Sequence, residues 1–289
     1  MASTTRSALH PSRLVLPVLL GSLLAVPTLA SPDAAVTEPA DILVITVDTV
    51  RRDHLSCYGH ETLTTPNIDQ LAAEGVLWTD CQAAISVTGP SHVTMFTGVY
   101  PQVHGAFRNG VKVKPERMTL GELLGAAGYQ RQAFVAGWTL KDRVCGLAKG
   151  FDTYDDDMDK RYSVVNLMRK ADEVTNDALA WFEGEQKRRA KGERDPYFVF
   201  VHYFDPHEPY EPVPGPALRP NPQADGGPAL EKYDTHLEAY DREIAYTDGE
   251  IGRLVDELKK MGLLKDAIIA LTADHGQSFG EHGYGGPEG

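Results

Sequence analysis

Cysteine is scarce: Cys57, Cys81 and Cys145 are the only three in 289 residues. Three thiols cannot build a disulfide framework, although one bridge with one thiol left over is open in an oxidising compartment. None stands in the paired spacing of a thiolate metal site, so all three read as structural. Positive charge is also short. The chain carries 28 Lys and Arg against 41 Asp and Glu, a net charge of −13. That balance argues against broad nucleic-acid or anionic-membrane binding and otherwise serves solubility. There is no internal repeat, and no low-complexity tract beyond one proline-dense stretch after Asp205.

Long apolar runs are missing except at the start. "LVLPVLLGSLLAVPTLA" (Leu14 to Ala30) follows a segment holding Arg6 and Arg13 and no acid. This is the layout of a secretory signal peptide, with Thr28 and Ala30 as the small residues before the cut. The run is short for a span of roughly 20 residues and contains Pro17 and Pro27, so no stable membrane span is expected after cleavage. The expected organisation is a signal peptide over 1–30, a short linker over 31–40 and one catalytic domain over 41–289. The expected location is periplasmic or secreted.

What remains alternates. "DILVITV" (Asp41 to Val47), "RQAFVAG", "PYFVFVHYF" and "DAIIALTADHG" read as buried strands, apolar and β-branched. "TPNIDQLAAEGV", "MTLGELLGAAGY", a stretch from about Ser163 to Ala190, and "THLEAYDREIAYTDGEIGRLVDELKKMG" read as helices. "GFDTYDDDM" reads as an acidic loop. The proline-dense "DPHEPYEPVPGPALRPNPQADGGP" cannot pack as a helix or central strand. The fold class is therefore α/β: a mostly parallel central sheet sandwiched between helices.

Sites in such folds gather at the carboxyl ends of the strands. Asp48, Asp205 and Asp274 each follow such an end. Any one of them could merely cap a helix. Asp48 with the pair Asp274-His275 instead makes a ligand set for a divalent cation, and the imidazole shifts the preference toward zinc or manganese. Thr88 precedes Gly89 and Pro90 at the start of another helix-like stretch. It reads equally as an N-cap and as a hydroxyl nucleophile activated by a neighbouring cation.

Four ordered segments resemble the sulfatase family of the alkaline phosphatase superfamily. They are "ILVITVDTVRRDHLSCYGHETLTTPNIDQLAAEGV", "TGPSHVTMFTGVYPQVHG", "VHYFDPHEPYEP" and "LTADHGQSFGEHG". The resemblance implies that Asp48, Asp274 and His275 bind a divalent metal (zinc, manganese or calcium), with Thr88 as both nucleophile and a further metal ligand. It also sets His207 near the ester oxygens or leaving group, with His202 and Asp205 as weaker candidates. The substrate it implies is a small-molecule or glycan ester.

The departures are informative. Most sulfatases carry a cysteine, oxidised to formylglycine, before a Pro-Ser-Arg run; here Thr88 precedes "PSH". Thr49 stands where a second acid is usual, and His275 where asparagine is usual. His92 replaces a permanently charged base. The phosphodiesterase relatives use an unmodified threonine with an asparagine 21 residues on, and Asn109 holds that spacing from Thr88. The expectation is a metal-dependent hydrolase of sulfuric or phosphoric esters through a covalent intermediate on Thr88. A phosphoryl-group transferase acting on a lipid or glycan, and an inactive ester- or glycan-binding relative, remain open. Family members continue past the late metal motif, so an incomplete C-terminus is also expected.

Overall fold

The computed structural model describes residues 39–158, 168–210, 213–214, 218–221 and 235–280. The signal-peptide reading lies outside these residues. In chain order the elements are β1 (Ile42–Val47), β2 (Thr62–Leu63), α1 (Pro66–Glu74), α2 (Thr88–Thr97), α3 (Pro101–His104) and α4 (Leu120–Ala126). Next come β3 (Gln130–Val135), α5 (Asp142–Cys145), β4 (Thr153–Asp155), α6 (Ala171–Ala190) and β5 (Tyr197–Tyr203). β6 (Arg219–Pro220), α7 (Thr235–Lys260) and β7 (Ile268–Ala273) complete the set, with short 3-10 turns between.

Five strands form one parallel sheet in the order β4-β3-β5-β1-β7. Alternation along β1 explains the layers, because successive side chains point to opposite faces. Leu43, Ile45 and Val47 join Val199 and Val201 in a core with α6 and α7. Ile42 and Val44 face the other way, toward a second core built on Phe198, Phe200, Val93 and Phe96. Both faces are covered, which is why the central strands read as unbroken apolar runs.

Three sequence expectations change. β7 is not buried: it closes the sheet on one side among the described residues, and Ile268 is 55% exposed. The acidic loop contains β4, whose Thr153–Asp155 pair with Gln132–Phe134. It is held there because Phe151 and Tyr154 pack on the second core and the Tyr154 hydroxyl donates to Leu140 O at 2.7 Å. The long helix begins at Ala171, not near Ser163. Its start is fixed by Asp205, which accepts from Ala171 N at 2.9 Å and from Lys170 Nζ at 3.2 Å.

Candidate active site

The site lies where β1 and β7 end side by side and α2 begins. Val47 pairs with Ala273, so the next residues, Asp48 and Asp274, emerge as neighbours. Both are buried, at 0% and 1% exposure. α2 is anchored against this rim by Ser91 Oγ, which donates to Asp274 O at 2.7 Å.

Thr88 is the first residue of α2, and Val87 takes the cap position without a side-chain cap bond. The N-cap reading is therefore corrected. The Thr88 hydroxyl is turned away from its own helix. It donates to Asp48 Oδ2 at 3.3 Å and lies 3.3 Å from His275 Nε2. His275 Nδ1 sits 2.9 Å from Gly276 O, so its proton is there and the Nε2 lone pair faces Thr88. The same Nε2 is 3.8 Å from Asp48 Oδ1 and 3.5 Å from Asp274 Oδ2.

Two carboxylates this close and this dry disfavour their own charge. Burial raises Asp48, against the pull of His207 and His275. Burial, then repulsion from Asp48, raises Asp274. Asp48 Oδ1 and Asp274 Oδ2 are buried without a hydrogen-bond partner, which is costly unless something positive meets them. Ligand atoms of Asp48, Asp274 and His275 all fall within 4.8 Å of one another. Orphaned oxygens and a free imidazole lone pair together fit a divalent cation.

Asn109 Oδ1 accepts from Gly89 N at 2.8 Å. Glycine leaves the amide room there, since a Cβ at residue 89 would sit 2.9 Å from the same oxygen and displace it. His207 is stacked on Phe204 at 4.4 Å, with Nδ1 2.6 Å from Glu208 O. His92 is fully buried, and burial pushes its pKa down to about 4. It is neutral: Nδ1 donates to Thr88 O at 2.8 Å, and Nε2 accepts from Thr46 Oγ1 at 3.0 Å. It does not stand in for a charged base. Asp205 is drawn off to cap α6.

His202 lies closer to the carboxylates than its rank in the sequence suggested. Ala136 N donates to Nδ1 at 3.3 Å, which leaves the proton on Nε2, 3.5 Å from Asp48 Oδ2. Its alternation on β5 was the available signal, since it shares a face with Phe198 and Phe200 rather than with the α6 side. Thr49 has φ 57, a left-handed backbone that a β-branched residue resists. Three bonds hold it there: Thr49 N donates to Asp274 Oδ1 at 3.1 Å, and Tyr240 Oη donates to Thr49 O and accepts from Arg51 N, both at 2.8 Å.

The protein-family model described as Sulfatase matches residues 40–289. An N-acetylglucosamine-6-O-sulfatase of Bacteroides thetaiotaomicron is 23% identical, over 95% of this chain and 64% of its own. An alkaline phosphatase superfamily protein from Vibrio parahaemolyticus superposes with TM-score 0.61 at 21% identity, over 85% of this chain and 57% of that one. A phosphonate monoester hydrolase of Agrobacterium radiobacter gives TM-score 0.61 at 22% identity, over 84% and 64%. The chain thus spans less than two thirds of the length of these relatives.

Proposed function

The chain belongs to the sulfatase family, and from that premise we propose that it is an exported, metal-dependent ester hydrolase with Thr88 as an unmodified nucleophile. The observation that carries this reading is the Thr88 hydroxyl, set between Asp48 Oδ2 and His275 Nε2 at 3.3 Å from each. Asp48, Asp274 and His275 would hold the cation, and the family relationship supports metal dependence. When bound, a divalent ion supplies Lewis-acid polarisation and lowers the pKa of a neighbouring hydroxyl.

Thr88 Oγ1 attacks sulfur or phosphorus in line. Its O–H bond breaks as the new ester bond forms, and the proton leaves toward Asp48 Oδ2, the acceptor it already faces. The substrate's ester bond breaks with the pair going to the leaving oxygen, on the side we assign to His207. With Asn109 Oδ1 engaged by Gly89 N, its amide nitrogen is the end that meets the equatorial oxygens. Water then attacks the covalent intermediate and returns the Thr88 hydroxyl. His92 acts by position, holding the Thr88 carbonyl and the start of α2.

The identity of the nucleophile bears on the substrate. A formylglycine hydrate has two hydroxyls, so one attacks and the other expels sulfate by elimination. Threonine has one, and its sulfate ester must be cleaved at sulfur by water. Its phosphate ester can be hydrolysed by attack at phosphorus. We therefore expect aryl phosphodiesters to be turned over faster than matched aryl sulfates, by about tenfold, which needs only about 1.4 kcal/mol in barrier height. An activity panel of aryl sulfate, phosphate monoester, phosphodiester and phosphonate esters, with and without chelator, checks it. A clear sulfate preference defeats the ester assignment, and turnover indifferent to chelation defeats the metal. Small-molecule and glycan esters are the substrate classes proposed, in line with the acetylglucosamine sulfatase relative.

Export rests on the sequence of residues 1–30, with the catalytic domain running from residue 41. Among the described residues no helix is long and apolar enough to cross a membrane. The mature protein is expected to begin near Ser31 in the periplasm or medium. N-terminal sequencing that finds Met1 or Ala2 on the mature chain overturns this.

A further inference from the structure

A second cluster of metal-ligating side chains lies outside the site just described. His54 Nδ1 is 2.6 Å from Asp241 Oδ1, and His60 Nε2 is 3.2 Å from Asp241 Oδ2. The Asp241 side chain is fully buried, while each imidazole keeps 10% of its surface exposed. We propose that His54, His60 and Asp241 form a second divalent-cation site, selective for zinc-type ions.

The donor set is the first reason. Two imidazoles and one carboxylate suit borderline ions, and three protein ligands leave a fourth position for water. Around a tetrahedral zinc with bonds of about 2.0–2.1 Å, neighbouring donors stand about 3.3 Å apart. His54 stands 2.6 Å from one carboxylate oxygen and His60 3.2 Å from the other, and one ligand atom from each of the three residues falls within 4.8 Å of the rest, so rotations of the side chains admit the ion. The two rings already converge, with centroids 4.9 Å apart.

The second reason is support from behind. His54 O accepts from Thr64 Oγ1, and His60 O accepts from Asn221 Nδ2, both at 2.8 Å. Gly59, at φ 94, makes the turn that brings His60 back beside His54. Tyr240 packs edge-on against His54 at 5.0 Å. A site whose ligands are fixed by their own backbones loses little entropy on binding. The exposed tenth of each imidazole is the entry path.

The proton count closes as well. In the cation-free chain the imidazole N–H groups point at the carboxylate. An entering cation replaces those two protons. A neutral imidazole rebinds its proton at the other ring nitrogen, and a protonated one releases a proton to solvent.

Zinc content by elemental analysis and the visible spectrum of the cobalt-substituted full chain test the proposal. Wild type is expected to hold two equivalents, and Asp241→Asn one. Asp274→Ala is also expected to hold one, with a cobalt spectrum of nitrogen and oxygen ligation. Adding His60→Ala to Asp274→Ala should bring the content to zero. An Asp274→Ala chain that takes up no cobalt overturns the site, and so does an Asp241→Asn chain with wild-type content. If Asp241→Asn does not fold, His60→Ala, on the surface turn, replaces it. Failure of the catalytic metal has a different signature: one equivalent, kept in Asp274→Ala and lost in Asp241→Asn.

Discussion

Thr88→Ala is expected to lower kcat/KM for an aryl phosphodiester by about 10³-fold or more, which corresponds to ~4 kcal/mol of lost transition-state stabilisation. The size follows from the chemistry. A nucleophile splits one hard displacement into two easier ones, and among the described residues no other hydroxyl lies between Asp48 and His275 as Thr88 does. The variant removes a hydroxyl that contacts Asp48 and His275 and leaves the ligands Asp48, Asp274 and His275 in place. Metal content should therefore stay at the wild-type level, and α2 should remain intact, because Thr88 does not cap it. Steady-state kinetics beside elemental analysis separates the two effects. An alanine variant as active as wild type eliminates Thr88 as nucleophile.

Asp274→Ala should remove one equivalent of metal and reduce turnover to background. The same carboxylate accepts from Thr49 N and His275 N, at 3.1 and 2.8 Å, so two backbone donors are freed along with the ligand. Asp274→Asn separates these roles, since its amide oxygen can still accept both while the charge is gone. In the cation-free chain, burial and the charge of Asp48 both raise Asp274, so this carboxylate opposes folding once it ionises. Metal-free Asp274→Asn should consequently unfold at no lower temperature than metal-free wild type at neutral pH, while losing the stabilisation that added metal gives wild type. Retention of full wild-type metal content by Asp274→Ala removes this residue from the ligand set.

Much of the fold was legible, for a local reason. Short apolar β-branched runs ending in acids read as strands with polar ends, and β1 and β7 set Asp48 and Asp274 next to each other. Legibility stopped where partners are distant in sequence. Asp205 looked like the other two acids, yet it caps α6, a use that depends on how that helix crosses β5. His92 stands in the nucleophile motif, but its side chain is buried between Thr46 and its own helix. His54 and His60 lie within six residues of each other, whereas Asp241 comes almost two hundred positions later, on α7. No periodicity announces such a pairing. β4 escaped notice because its composition is that of an acidic turn, and its packing against Leu140 is what makes it a strand.

The sheet order has a consequence for how the protein is made. Among the described strands β1 is synthesised before the others, yet it lies between β5 and β7: Ile42 pairs with Phe198 and with Ile268. At ribosomal rates of ~5–20 residues per second, its first partner follows it by roughly 8–30 seconds. Throughout that interval an apolar segment with two open edges is available to any other strand, a hazard that parallel pairing across long loops carries by nature. β3 and β4, close in sequence, can pair early and wait. The nascent chain is therefore expected to depend on holding factors until β5 emerges, and Asp48, first of the rim residues to be translated, is among the last to reach its place.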